Sequence, residues 1–435
     1  MERLLILGGA LLWGAPAVLG RAPPATIVKG WEPGAQELAV YVCQGLYSRD
    51  PAAAVYTVAN ANDEWWLSAT GGGNASAPGA ATAAPAFLRR CLGDFPRVVL
   101  FNWTAQQELL PSIVTAAAVL DAVPLEAAAL AALAPAAPPA LAFDAVLAFG
   151  GMQEIDSVAY VFDRWGNLTT GLCKLNPGWH WDADPLHTLS PVLAGGPSIQ
   201  LVDYVVKERL FNFFLKNGCI PLTAEHALLE RMLADDAPGS GTSRHWPRPL
   251  TVYGYDNSHP LFGGDVFEAE TTCVAAHNMG QVASAGVTNL AYFSADGPLT
   301  EPLLQLPDPL HGTAGSDPPY APLAFNASRT YVAFTIGDGD NVQYVQNSRA
   351  DWMKQRAARC AAGGGPANRT ACYPLLWSLS PALIRLSPDW ARWFFATARS
   401  NGADWFVLPP SGDTYAYPSK QVSLRPSTHD GLTGT

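Results

Sequence analysis

Five consecutive residues in this 435-residue chain combine acids, an amide and glycines: Gly337-Asp338-Gly339-Asp340-Asn341. Paired carboxylates can divide acid and base roles when their surroundings differ. On extended backbone, residues two apart point the same way, so Asp338 and Asp340 are expected to share one face. The same acids with Asn341 could instead hold a hard cation. However, Val342 and Gln343 stand where an EF-hand loop needs its third ligand and its glycine. A metal-dependent hydrolase would want nearby histidine, and none lies between His311 and His429. A plain polar turn is the competing structural reading, because Asp and Gly also serve turn chemistry.

A second acidic stretch has the same grammar. Asp256-Asn257-Ser258-His259 and, further on, Asp265 follow an apolar run, so Asp256, His259 and Asp265 are secondary candidates. A long surface loop is the alternative there. Trp179-His180-Trp181-Asp182 could offer a stacking platform, or equally a partly buried aromatic pair. No Gly-x-Ser-x-Gly elbow occurs, which argues against a serine hydrolase.

These residues need elements to hold them. Tyr331–Ile336 is β-branched, aromatic or small and uncharged, which predicts a strand buried on both faces and ending at the acidic loop. Residues 250–255 (LTVYGY) predict a strand before the second loop. Residues 373–378 and 405–408 predict two further strands, with helices over 351–360 and from the Ser387 cap through Pro388 to Ser400. The carboxyl-terminal region thus reads βαβαβ, with polar or aromatic residues after every strand. That pattern suits a barrel or a doubly wound sheet with its site on the carboxyl face. Upstream, residues 33–47, 106–120, 200–217 and 223–235 predict helices. Residues 54–58, 97–102 and 145–149 predict strands. The chain is therefore read as α/β: N-terminal α/β domains, then an incomplete TIM-barrel-like β/α catalytic domain. The expected divisions are 1–20, 23–150, 151–322 and 323–435.

Composition narrows the partners. The formal net charge is −11, and no basic run could track a phosphate backbone, so nucleic acid is not expected. Residues 1–20 read as a cleaved secretory signal, and no later run is apolar enough to span a bilayer. Five acceptor sequons begin at Asn74, Asn102, Asn167, Asn326 and Asn368. Together they predict a secreted or lumenal glycoprotein. Seven cysteines fit an oxidising compartment, with Cys360–Cys372 the readiest pair and one thiol left over. None has metal-ligand spacing, so neither a metal nor a cofactor is expected.

One motif goes further. Gly412-Asp413-Thr414-Tyr415-Ala416-Tyr417-Pro418 resembles the signature of the GxGYxYP glycoside hydrolase family. Asp404-Trp405-Phe406-Val407 and Ser411 before it agree. So do Asp338 to Gln343, Trp377 with Ser380-Pro381, and the run from Asp203 to Glu230. The resemblance implies a carbohydrate substrate and two carboxyl groups, about 5–5.5 Å apart for retention or about 6.5–9.5 Å for inversion. Same-face spacing puts the Cα atoms of Asp338 and Asp340 roughly 6.6 Å apart. They are the catalytic candidates, with Asp413 an alternative second partner. Asn341, Trp377, Ser411, Asp413, Tyr415 and Tyr417 are the substrate-binding candidates. Two departures stand out. Thr414 replaces the family's second glycine, and only about three βα units follow Pro322 where a barrel uses about eight. A carbohydrate-binding protein or catalytically incomplete relative is the alternative expectation.

Overall fold

The computed structural model describes residues 24–71, 81–133, 137–175, 199, 201–215, 217–235, 246, 250–255, 279–282, 284, 287–297, 326–328, 330–365, 368, 370 and 372–413. Every strand pairing among them is parallel.

Four small sheets arise from short apolar runs. The first holds β1 (Thr26–Lys29), β2 (Val55–Thr57) and β3 (Thr82–Ala83), in the order β2-β1-β3. The second holds β4 (Arg97–Leu100), β5 (Val123–Leu125) and β6 (Ala140–Asp144), in the order β5-β4-β6. The third holds β7 (Leu172–Leu175), β8 (Phe211–Phe213), β9 (Thr251–Tyr255) and β10 (Gly280–Val282), in the order β10-β9-β7-β8. In each, the second strand lies on one side of the first and the third on the other, the reversal that marks a doubly wound sheet. The fourth is different. β11 (Thr335–Ile336), β12 (Leu375–Ser378) and β13 (Asp404–Val407) lie in simple chain order, the order barrels use. No closed barrel forms among the described residues.

Helices cover the sheets where the periodicity placed them. Ala35–Tyr47 has a long buried face, and Pro388–Asn401 starts with proline and ends at Gly402. Three expectations are corrected. Residues 200–217 do not form one helix: Val202–Glu208 is helical, Arg209 turns left-handed (φ 53°), and β8 follows. Pairing with β7 buries Phe211 and Phe213, which outweighs local helix preference. Residues 145–149 are not a strand. The strand is Ala140–Asp144, and the Asp144 carboxylate accepts from Leu147 N (2.9 Å) to cap the short helix Ala145–Ala148. The buried strand expected over 331–336 shrinks to Thr335–Ile336, with Tyr331, Val332 and Phe334 exposed. Among the described residues, β12 alone pairs with that strand.

The core joins segments far apart in the chain. Trp66 is fully buried among Trp390, Trp393 and Phe293. Burying a large side chain of this kind contributes about 2–3 kcal/mol. Its indole nitrogen donates to Gln346 O at 2.8 Å. Disulfides join Cys43 to Cys91 and Cys360 to Cys372, and Cys173 is a buried free thiol. No described helix is long and apolar enough to cross a membrane.

Candidate functional site

The acidic loop leaves β11 at the carboxyl rim of the fourth sheet. Its path is set by close contact with the end of β12. Gly339 N donates to Ser378 Oγ (2.8 Å), and Ser380 N donates to Gly339 O (2.9 Å). A Cβ on Gly339 would lie 1.8 Å from Ser378 O, so only glycine fits. Asp338 takes a left-handed conformation (φ 58°), uncommon for a residue with a side chain. The loop is therefore a turn and not extended backbone. Asn341 N donates to Asp338 O at 3.3 Å to close it. The expectation that Asp338 and Asp340 share a face by strand alternation is corrected accordingly. The two carboxyls still interact electrostatically.

Their surroundings differ. Asp338 is exposed, while Asp340 is only 8% exposed. Burial pushes the Asp340 carboxyl above its ordinary range. The Ser411 hydroxyl, which donates to Asp340 Oδ2, and the Arg349 charge oppose that shift. The third loop of the rim thus reaches the first. Within it, Gly412 N donates to Pro409 O (2.9 Å), and Gly412 adopts φ 79°, which suits glycine. Ser380 Oγ donates to Asp413 O at 2.7 Å. The Asp413 side chain is exposed and lies 3.9 Å from Arg385, a solvent-screened pair of small consequence.

Asp338, Asp340, Asn341, Ser411 and Asp413 therefore lie on loops leaving one rim. Trp377 is corrected: it is 3% exposed, and its ring packs under the Arg349 guanidinium (5.8 Å) and does not face solvent. Its indole nitrogen and Asn341 Oδ1 are buried without a partner among the described residues. Tyr415, Tyr417, Asp256, His259 and Asp265 lie outside the described residues, as does Trp179–Asp182. No described group of three or more His, Cys, Asp or Glu side chains is gathered as a metal site requires.

Arg349 was missed by sequence reasoning. Its Nη1 donates to Ile336 O (3.2 Å) and its Nη2 to Gly337 O, so it grips the chain just before Asp338. Burial lowers its pKa to about 10, against the pull of Asp338 and Asp340, so it remains charged at neutral pH. A signal existed: Val342, Val345, Arg349 and Met353 recur at helical spacing and are all buried. A charge within an apolar stripe implies a partner inside.

Residues 328–425 match a family described as "GxGYxYP putative glycoside hydrolase C-terminal domain". A solved structure, a "putative hydrolase from Bacteroides thetaiotaomicron VPI-5482", is similar in fold, with a TM-score of 0.58 and 14% identity. The similarity covers 93% of this chain and 66% of that one, so this chain spans just under two thirds of that protein's length. No curated protein matches this chain.

Proposed function

We propose that the rim of the fourth sheet is a glycosidase-type active site acting on a polysaccharide or glycan. Asp340 serves as the proton donor and Asp338 as the second carboxyl group. The observation that carries this reading is the contrast between them. Burial raises the Asp340 carboxyl's pKa and so favours its protonated form, while the Asp338 side chain two residues away is exposed to water. The family match over 328–425 supports a sugar as substrate. Asn341, Ser411 and Asp413 line the approach, and the two tyrosines of the motif, Tyr415 and Tyr417, provide stacking. The chain-order sheet forms part of a TIM-barrel-like domain in this reading. A secreted or lumenal setting is supported by the disulfides and by exposed sequon asparagines at Asn102, Asn167, Asn326 and Asn368.

The test is release of reducing sugar from a panel of plant, bacterial and animal glycans. Turnover by the parent should fall at least about 100-fold in both Asp338→Asn and Asp340→Asn, with glycan binding kept. Turnover unchanged in both variants would refute the assignment. A second reading, glycan binding without hydrolysis, is favoured by exposed aromatics elsewhere on the carboxyl-terminal region. Tyr331, Phe334, Trp352 and Tyr373 are each 46–58% exposed, and Phe334 and Tyr373 pack edge to face at 6.0 Å. Binding by a parent that never turns substrate over, weakened by Tyr373→Ala, would select it.

A further inference from the structure

We propose that Arg349 is the positioning residue of the aspartate loop. It clamps the backbone that turns at Asp338 and places a fixed positive charge behind the two neighbouring carboxyls. This rests on reading the rim as a glycosidase-type site.

Three observations point to Arg349. First, it is 3% exposed, yet no described carboxylate lies within ion-pair distance of it. A buried charge without a direct partner is costly, so nearby charge must compensate it. Asp338 and Asp340 are the two anions that act on it.

Second, its hydrogen bonds go to the backbone of the loop itself. They reach Ile336 O and Gly337 O, and the Nε atom is buried with no described partner. The ring of Trp377 beneath and that of Trp352 beside it, each 5.8 Å from the guanidinium carbon, fix the plane of the fork.

Third, Arg349 ends a single π-turn, Val345–Arg349, between helical segments Val342–Tyr344 and Ala350–Ala362. Such turns re-aim side chains and are frequent at functional sites. This one is anchored from the opposite side. Gln346 Nε2 donates to Thr288 O (2.9 Å) and to Thr288 Oγ1 (3.1 Å). Trp66 Nε1 donates to Gln346 O. The N-terminal half of the chain therefore helps set where the arginine points.

The charged groups around Asp340 are Asp338 on its own loop and Arg349 on the π-turn. On the other loops of the rim, Asp413 follows β13 and is met by Arg385 from the segment after β12. Only Arg349 is a buried cation among them.

The experiment is a carbon-13 titration of aspartate carboxyls in the parent, Arg349→Gln and Arg349→Lys. Signals are assigned with Asp338→Asn and Asp340→Asn, and the pH profile of turnover is recorded alongside. Removing the cation in Arg349→Gln should move the carboxyl midpoints up by about one pH unit and lower kcat about 100-fold, with KM changing less. Arg349→Lys keeps the charge and loses the fork. Its midpoints should stay near parental while kcat falls about tenfold. Unchanged midpoints in Arg349→Gln would overturn the inference, as would parental turnover in Arg349→Lys. If Arg349→Gln fails to fold by circular dichroism, the lysine variant decides. A parent that hydrolyses no glycan would defeat the glycosidase reading alone, because the titration still reports on Arg349.

Discussion

Asp63 and Asp340 are both buried acids whose carboxyls burial pushes upward, and they are built for different ends. Asp63 accepts four hydrogen bonds: from Ala59 N, Asn60 N, Thr288 Oγ1 and Asn289 Nδ2, at 2.8–3.2 Å. It closes the capping box at the start of helix Ala61–Thr70 and ties that helix to the chain near residue 289. Asp340 receives a single side-chain donor, the Ser411 hydroxyl, and sits beside a second acid and a buried arginine. A saturated carboxylate is fixed in one protonation state and one place. One with spare lone pairs, an acidic neighbour and an opening to solvent can exchange a proton with a ligand. Raised pKa alone does not separate the two; the count of donors does.

The sharpest way to break this contrast is to remove Asp63. Asp63→Ala should lower the free energy of unfolding by about 4 kcal/mol in urea denaturation, because four donors lose their acceptor inside the core. A loss under about 1 kcal/mol would mean that the network is no scaffold.

Asp203 offers a test of the next size. It accepts from Ala291 N (2.9 Å), and burial raises its pKa to about 6. A carboxyl that binds its proton more tightly folded than unfolded stabilises the fold below the unfolded pKa, near 4. That contribution disappears as pH rises through 6. Its share should be a fall of about 2 kcal/mol between pH 4 and pH 7. Asp203→Asn should flatten the stability profile over that window, and a profile parallel to the parent's would contradict the assignment.

The smallest effect is expected at the site itself. Asp340→Asn should change stability by no more than about 1 kcal/mol, since only one hydrogen bond is altered. Destabilisation as large as that of Asp63→Ala would place Asp340 among the structural acids and erase the distinction.

Much of the fold and part of the site are legible in the residue order. The pairing of Cys360 with Cys372 and a helix starting at Pro388 are local matters of spacing and turn chemistry and lie where spacing put them, whereas Ser387 makes no side-chain cap and the glycine-flanked acids turn instead of alternating. Arg349 and Trp377 are not legible in the same way, because their roles depend on each other across the sheet, some thirty residues apart in the chain. Residues 209–213 leave their helical pattern because β7 lies beside them, which no window of sequence contains.

By itself, the amino-acid order determined which segments could be parallel strands, where they must break, and that acids would gather at one such break. Alternation, helical period and glycine act over a few residues, and the chain carries them wherever it folds. Only the tertiary structure decided that Asp340 would be desolvated while Asp338 stayed wet, and that a buried arginine would stand behind both. Desolvation and charge proximity depend on what lies within a few ångströms in space, and here those neighbours come from β12, the π-turn and the loop after β13.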